Sequence, residues 1–318
     1  MANFIDNSWK TDNYKFVGKA FDYAYANRMN KLSPIVGETM ANSIDYELTG
    51  SGGYGEAPRY DGQNLNKAQL HRGFKTIIRP EEFSLTMDVG YKAAKIDKMG
   101  EIAKVGRKLG DSMALTVYLH VLRMFANAWN PNFKGGDEKS WAASDHPVAS
   151  IGSSGRAFVA DPQAGTYNNT TTDTFSVSAI TAAQSRANRF VTPDGLPFLC
   201  DYDTVLISPE LEEKAKRMFG ENSRLTPTQL PGTADNDANP VYGMKYIVIG
   251  GGDDGFKAKQ WAVCDRRLMK EMVNLVYNTK PMLMHNEQDN PLIDQYTAYA
   301  DFGTGWGDAR MIIFGNPA

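Results

Sequence analysis

Cysteine is scarce. The 318 residues hold two, Cys200 and Cys264, with no C-x-x-C. Two such residues build neither a disulfide framework nor a cysteine zinc site, and a chain this poor in cysteine reads as intracellular, with reduced thiols. The four histidines, His71, His120, His146 and His285, lie far apart, and no two have the helix-face spacing of a metal pair. No metal and no cofactor are expected. No run of about 18 apolar residues exists, which excludes a membrane-spanning helix, and no apolar stretch at the N-terminus reads as a secretory signal. Surplus positive charge is missing as well. With 34 Lys and Arg against 37 Asp and Glu, the net charge is -3, which argues against strong sequence-independent nucleic-acid binding by the chain as a whole. The first 130 residues carry about 17 basic and about 14 acidic side chains, a mild skew that a solvated surface accounts for.

What is present is a globular composition, 42% hydrophobic and 22% charged, long enough for two domains or one elaborate one. The stretch GSGGYG, Gly50 to Gly55, matches G-x-G-x-x-G. A dinucleotide site needs a strand before this pattern and a helix opening on its last glycine. Residues 44–49 alternate like a strand, but Pro58 and Gly62 disfavour a helix after it, so no helix N-terminus faces the glycines. The stretch reads instead as a loop. Strand-like segments at 44–49, 74–78 and 83–87 flank it and predict a long two-stranded excursion.

Periodicity then predicts one long helix from Lys92 to Trp129. Met99, Ile102, Gly106, Leu109, Met113, Val117, Val121, Met124 and Ala128 recur at steps of three or four, and Asn130-Pro131 ends the pattern. Gly100, Gly106 and Gly110 each cost about 1 kcal/mol inside a helix, so the helix bends there or something packs close. A shorter helix is expected over 19–29. Further on, helices are expected over 176–190, capped by Ser178 or Thr181, and over 208–220, with Ser208 as N-cap and Pro209 at N1. Strands are expected at 201–207, 246–249, 260–264, 293–299 and 310–314. No internal repeat and no low-complexity tract is present.

Chemistry is hard to assemble from these residues. Asp235-Asn236-Asp237 imitates the start of a calcium loop, but Pro240 and Tyr246 occupy the positions of its Gly and Glu. Gly152-Ser153-Ser154-Gly155 is no nucleophile elbow, and Cys200 has no His nearby in sequence. Arg266-Arg267 is too small for a nucleic-acid patch, and no basic stripe interleaves the aromatics. His120 reads as a packed core histidine, and the run Pro281-Met282-Leu283-Met284 as packing. No enzyme is expected.

The order of parts, with several local stretches, resembles the major capsid (head) proteins of tailed double-stranded-DNA bacteriophages. Gly52-Gly53-Tyr54-Gly55, Asp61-Gly62, Lys75-Thr76-Ile77 and Phe83-Ser84-Leu85-Thr86 are similar to that family's extended loop. Residues 92–129 resemble its spine helix. Ser144-Asp145-His146-Pro147 resembles a stretch after the spine, and Thr192-Pro193-Asp194-Gly195-Leu196-Pro197 with the Ser208-Pro209 helix resembles its axial domain. Tyr299-Ala300-Asp301-Phe302-Gly303 and Asp308-Ala309-Arg310-Met311 resemble the closing strands.

The resemblance implies an α+β tailed-phage major capsid fold. Its parts would be an N-terminal arm (1–47), an extended β-hairpin loop (48–90), a peripheral domain with the spine helix (91–173), an axial domain (174–290) and C-terminal strands returning to the peripheral domain (291–318). It implies a structural protein that self-assembles through pentamers and hexamers into an icosahedral head around double-stranded DNA. Inter-subunit contacts are expected from the loop residues Gly50, Gly52, Gly53, Tyr54, Gly55, Arg59, Lys67, His71, Arg72 and Lys75, and spine flexing from Gly100, Gly106 and Gly110. Expected partners are further copies of the chain, a separate scaffolding protein, a portal, decoration proteins and non-specifically contacted DNA, with no membrane. Expected localisation is the virion capsid, assembled in the host bacterial cytoplasm. The rival readings are an encapsulin-like nanocompartment shell and an enzyme of unfamiliar type, which would need acid–base groups converging in one pocket.

Overall fold

A computed structural model describes residues 8–29, 32–51, 57, 59–60, 72–96, 100–151, 158–160, 165–192, 196–219, 239–250, 252–286 and 292–317. In chain order come α1 (Ser8–Met29), β1 (Gly37–Met40), β2 (Tyr46–Ser51), β3 (Arg72–Ile78), β4 (Glu81–Gly90), α2 (Tyr91–Ile96) and α3 (Gly100–Ala126). Five short strands follow: β5 (His146–Pro147), β6 (Ala149–Ile151), β7 (Phe158–Ala160), β8 (Thr166–Tyr167) and β9 (Thr170–Thr171). Then come α4 (Val177–Ala187), β10 (Thr204–Ile207), α5 (Glu212–Phe219), β11 (Lys245–Val248), β12 (Trp261–Cys264), α6 (Arg266–Met272), β13 (Val273–Asn286), β14 (Ile293–Trp306) and β15 (Ile312–Gly315). The chain divides into two compact units. Unit 1 holds the segments up to Tyr46, Ile78–Val121 and Leu275–Thr304; unit 2 holds Glu47–Ile77, Leu122–Asn274 and the segment from Gly305 onward.

Unit 1 is built on a four-stranded sheet in the order β1-β13-β14-β4. Along β14, Asp294, Tyr296, Ala298, Ala300 and Phe302 are buried at every second position, the alternation of a strand with one covered face. β14 pairs antiparallel with β4 over ten positions, Ile293 opposite Gly90 through Phe302 opposite Glu81. On the covered face, Phe83, His120 and Phe302 meet edge-on or tilted, with ring centroids 4.7 to 5.3 Å apart. His120 is thus packed among aromatics, as its place in the sequence predicts. The core is completed by Val17, Phe21 and Ala24 of α1, and by Leu109, Met113, Val117 and Val121 of α3.

Unit 2 carries a five-stranded sheet, β11-β10-β12-β15-β9, mixed in direction. All four residues of β10, β12 and β15 are buried. On this sheet α4 places Ala179, Ile180, Ala183 and Ala187, which join Phe175, Phe190, Trp261 and Ile313 in one cluster. A second aromatic group stacks Trp141 on Trp306 at 5.6 Å and 9°, with Phe125 and Phe314 against Trp141.

Several elements differ from their sequence reading. Of the helix read over 92–129, the described residues form α2 and α3, and α3 ends at Ala126. Asn127 stops it three residues before the Asn-Pro, because its side-chain amide bonds the Arg123 carbonyl while Asn130 bonds Asn127 in turn. At 27 residues α3 is about 40 Å long. α1 starts at Ser8, eleven residues before the helix read at 19–29, and buries Val17 ahead of that reading. The cap of α4 is Ser176, which accepts from the Ala179 amide; Ser178 and Thr181 spend their hydroxyls on Ser176 and the Val177 carbonyl. Ser208 precedes a 3-10 turn over Pro209–Leu211 but makes no capping bond. The strand read at 201–207 begins at Thr204. That read at 293–299 runs on to Trp306. That read at 310–314 is a 3-10 turn over Ala309–Met311, then β15. The calcium-like run at 235–237 lies outside the described residues.

Candidate assembly site

The base of the β2–β3 pair is the first region of interest. The two strands form a sheet of their own. In unit 2, Lys75 of β3 pairs with Glu47 of β2. In unit 1, Arg79 pairs with Asp45 at 3.0 Å. Both pairs are solvent-exposed, so each is worth about 0–1 kcal/mol and serves alignment more than stability. Gly50 is buried in β2, and Arg59 is exposed. Arg72 starts β3. Gly52, Gly53, Tyr54, Gly55, Lys67 and His71 lie outside the described residues.

The same base meets a tight turn at 134–140, closed by a bridge between Lys134 and Ser140 and by Glu138 at φ 62°. The Gly136 amide donates to Thr76 Oγ1 at 3.0 Å. A methyl at Gly136 would lie 2.5 Å from the Lys75 carbonyl oxygen, and one at Gly135 would lie 2.1 Å from the Trp306 ring. Asp137 accepts from the Lys139 amide through Oδ1 at 3.2 Å and meets His146 Nδ1 through Oδ2 at 2.5 Å. His146 is fully buried, stacks on Tyr167, and turns Nε2 toward the Trp141 carbonyl at 3.3 Å. Both ring nitrogens thus face oxygen atoms of the turn and of the chain just after it. The sequence singles out Ser144-Asp145-His146-Pro147 but not its meeting with Asp137, the residue after the glycine pair Gly135-Gly136. The adjacent glycines were the available signal.

The second region is the crossing of α1 and α3. Gly106 and Gly110 are buried on α3, and a methyl on either would lie 2.5 Å from a backbone oxygen of α1, that of Val17 or Phe21. Of the two explanations the sequence leaves for these glycines, close packing is therefore the one with a partner in view. Gly100 is exposed at the first turn. Further down α1 and β13, Tyr25 and Tyr277 share a hydroxyl hydrogen bond at 3.0 Å. Tyr14 donates to the Leu283 carbonyl at 3.1 Å and stacks on His285, which bonds buried Asp294.

The third region is surface. β4 is an edge strand, and Leu85 and Met87 stay exposed although their partners Ala298 and Tyr296 are buried. On α1, Phe16 and Tyr23 are exposed one heptad apart. Met282 and Met284 are exposed on β13, where the sequence reading had expected packing. Among the described residues no group of three or more His, Cys, Asp or Glu could hold a metal, and no helix is long and apolar enough to cross a membrane. The cavity lined by Leu32, Val36, Tyr118 and Val121 has a volume of about 20 Å³, room for one water.

Solved structures share this architecture. The capsid of Ralstonia phage GP4 aligns with a TM-score of 0.53 and 13% identity, over 89% of each chain. The virus-like particle from Pyrococcus furiosus aligns at 0.52 and 8% identity, over 94% of this chain and 97% of that one. The procapsid of bacteriophage JBD30 aligns at 0.50 and 13% identity, over 99% of this chain and 77% of that one. At such identities the likeness is one of fold, and it defines the class: an α+β protein with the fold of tailed-phage capsid subunits. No curated protein matches the chain in sequence. A family model described as phage capsid protein matches residues 74–313, three quarters of the sequence, and the chain belongs to that family. Its role is structural, that of a phage capsid protein.

Proposed function

We propose that the chain is the major capsid protein of a tailed phage, assembling through pentamers and hexamers into a head that encloses double-stranded DNA. The observation that carries this reading is the family match over 74–313. The parts keep the division given by the sequence resemblance: arm 1–47, extended loop 48–90, peripheral domain 91–173, axial domain 174–290 and returning strands 291–318. The loop residues Gly50, Gly52, Gly53, Tyr54, Gly55, Arg59, Lys67, His71, Arg72 and Lys75 contact a neighbouring subunit. Exposed apolar side chains on α1 and on the edge strand β4 support association, because assembly removes them from water. Each interface is modest, and stability comes from making many at once around closed symmetry axes. A separate scaffolding protein, a portal and decoration proteins complete the head, which assembles in the host bacterial cytoplasm. Packaged DNA needs little positive charge from the shell, since counterions already compensate it. The chain performs no catalysis.

An encapsulin-like shell is the second reading, favoured by the likeness to the Pyrococcus furiosus virus-like particle. Particle contents separate the two. Sedimented particles from infected or co-expressing cells are expected to protect double-stranded DNA from nuclease. Particles filled with a protein cargo and free of nucleic acid would contradict the phage-head reading.

A further inference from the structure

We infer that the 134–140 turn is the seat that aims the β2–β3 hairpin, with Gly136 and Thr76 as its positioning residues. This inference rests on the proposal that the hairpin belongs to a loop contacting a neighbour. Four observations in unit 2 converge on it. Gly136 lies so close to β3 that any side chain would meet the Lys75 backbone, at 2.5 Å from its oxygen and 2.6 Å from its carbonyl carbon. Its amide donates to Thr76 Oγ1, the turn's hydrogen bond to a β3 side chain. On the other side, Gly135 is pressed against the Trp306 ring, which stacks on buried Trp141. From behind, both carboxylate oxygens of the next residue, Asp137, are engaged, Oδ1 by the Lys139 amide within the turn and Oδ2 by buried His146, and the His146 contact ties the turn to β5. A rigid turn touching a two-stranded hairpin by backbone sets the hairpin's direction, because an isolated pair of strands has little stability of its own.

A Cβ at Gly136 therefore pushes β3 away without touching the aromatic core. A valine at Thr76 keeps the shape and removes the acceptor; a serine keeps the acceptor. The test compares Gly136→Ala, Thr76→Val and Thr76→Ser with the unmodified chain. Thermal unfolding and hydrogen exchange are measured on unassembled subunits, and shell yield by light scattering. Gly136→Ala is expected to unfold cooperatively near the parent's midpoint and to exchange amides at 47–51 and 72–77 about tenfold faster, with shell yield down about tenfold. Thr76→Val is expected to shift the same way by less, and Thr76→Ser to match the parent. Unchanged exchange in Gly136→Ala overturns the seat, as does a Thr76→Ser variant as defective as Thr76→Val. If exchange changes as expected while shell yield does not, the seat stands and the proposed loop contact fails.

Discussion

Asp308 and Arg310 are both nearly buried and hold each other through the guanidinium and two carboxylate oxygens. Arg310 also donates to the Val191 carbonyl at 2.9 Å and lies over the Phe198 ring at 4.5 Å. Burial alone would raise the Asp308 carboxyl; the Arg310 charge and the hydrogen bonds it receives outweigh that and hold it below the usual carboxylate range. A depressed pKa contributes stability that is complete above the ordinary carboxylate value, about pH 4, and is lost as pH falls through the lowered value. Asp308→Asn strands a buried guanidinium, so a loss of about 3–5 kcal/mol is expected at pH 7 in denaturant unfolding, shrinking in strong acid. Equal stability of the two proteins at pH 7 would show the pair to be idle. The cysteines give a second prediction at this scale. Burial, then the charges of Asp265 and Asp201, pushes the Cys200 thiol up to about 11, and burial raises that of Cys264 well above its usual range. Neither is a thiolate near neutrality, so a thiol reagent at pH 7.5 is expected to label both rapidly in denaturant and neither rapidly in the folded subunit. Rapid stoichiometric labelling of the folded chain would contradict this.

At the scale of elements, the α1–α3 crossing is the informative case. A methyl at Gly106 must displace the Val17 backbone, which costs about 1–3 kcal/mol as overpacking and regains about 1 kcal/mol in helix propensity. Gly106→Ala is therefore expected to loosen α1, seen as faster tryptic cleavage at Lys15 and Lys19 in the unassembled subunit. We keep spine flexing by Gly100, Gly106 and Gly110 as a separate proposal: a Gly106→Ala shell that expands normally counts against it, whatever the protease shows. The sequence made the apolar face of α3 legible, since Leu109, Met113, Val117 and Val121 repeat at helical steps. What Gly106 and Gly110 touch was not legible, because Val17 and Phe21 lie almost ninety residues earlier. The end of α3 was misjudged for a local reason: side-chain bonds of Asn127 act before Pro131 can. Likewise Gly303 falls inside β14, where a glycine in a sequence reads as a break; its missing side chain makes room for the Arg79 backbone.

At the scale of the molecule, the order of strands, spine and closing strands was legible because each part carries its own period and punctuation. The tight turn at 134–140 was not, because Gly136, Thr76, Asp137 and His146 acquire meaning only when folding brings them together. The central claim is that this chain closes into an icosahedral shell of its own copies. Cryo-electron microscopy of particles from cells co-expressing the adjacent genes, with light scattering on the same sample, tests it most directly. The account predicts closed shells with five- and six-fold capsomers. A uniform monomer or dimer that stays small at high concentration in that same preparation would contradict it.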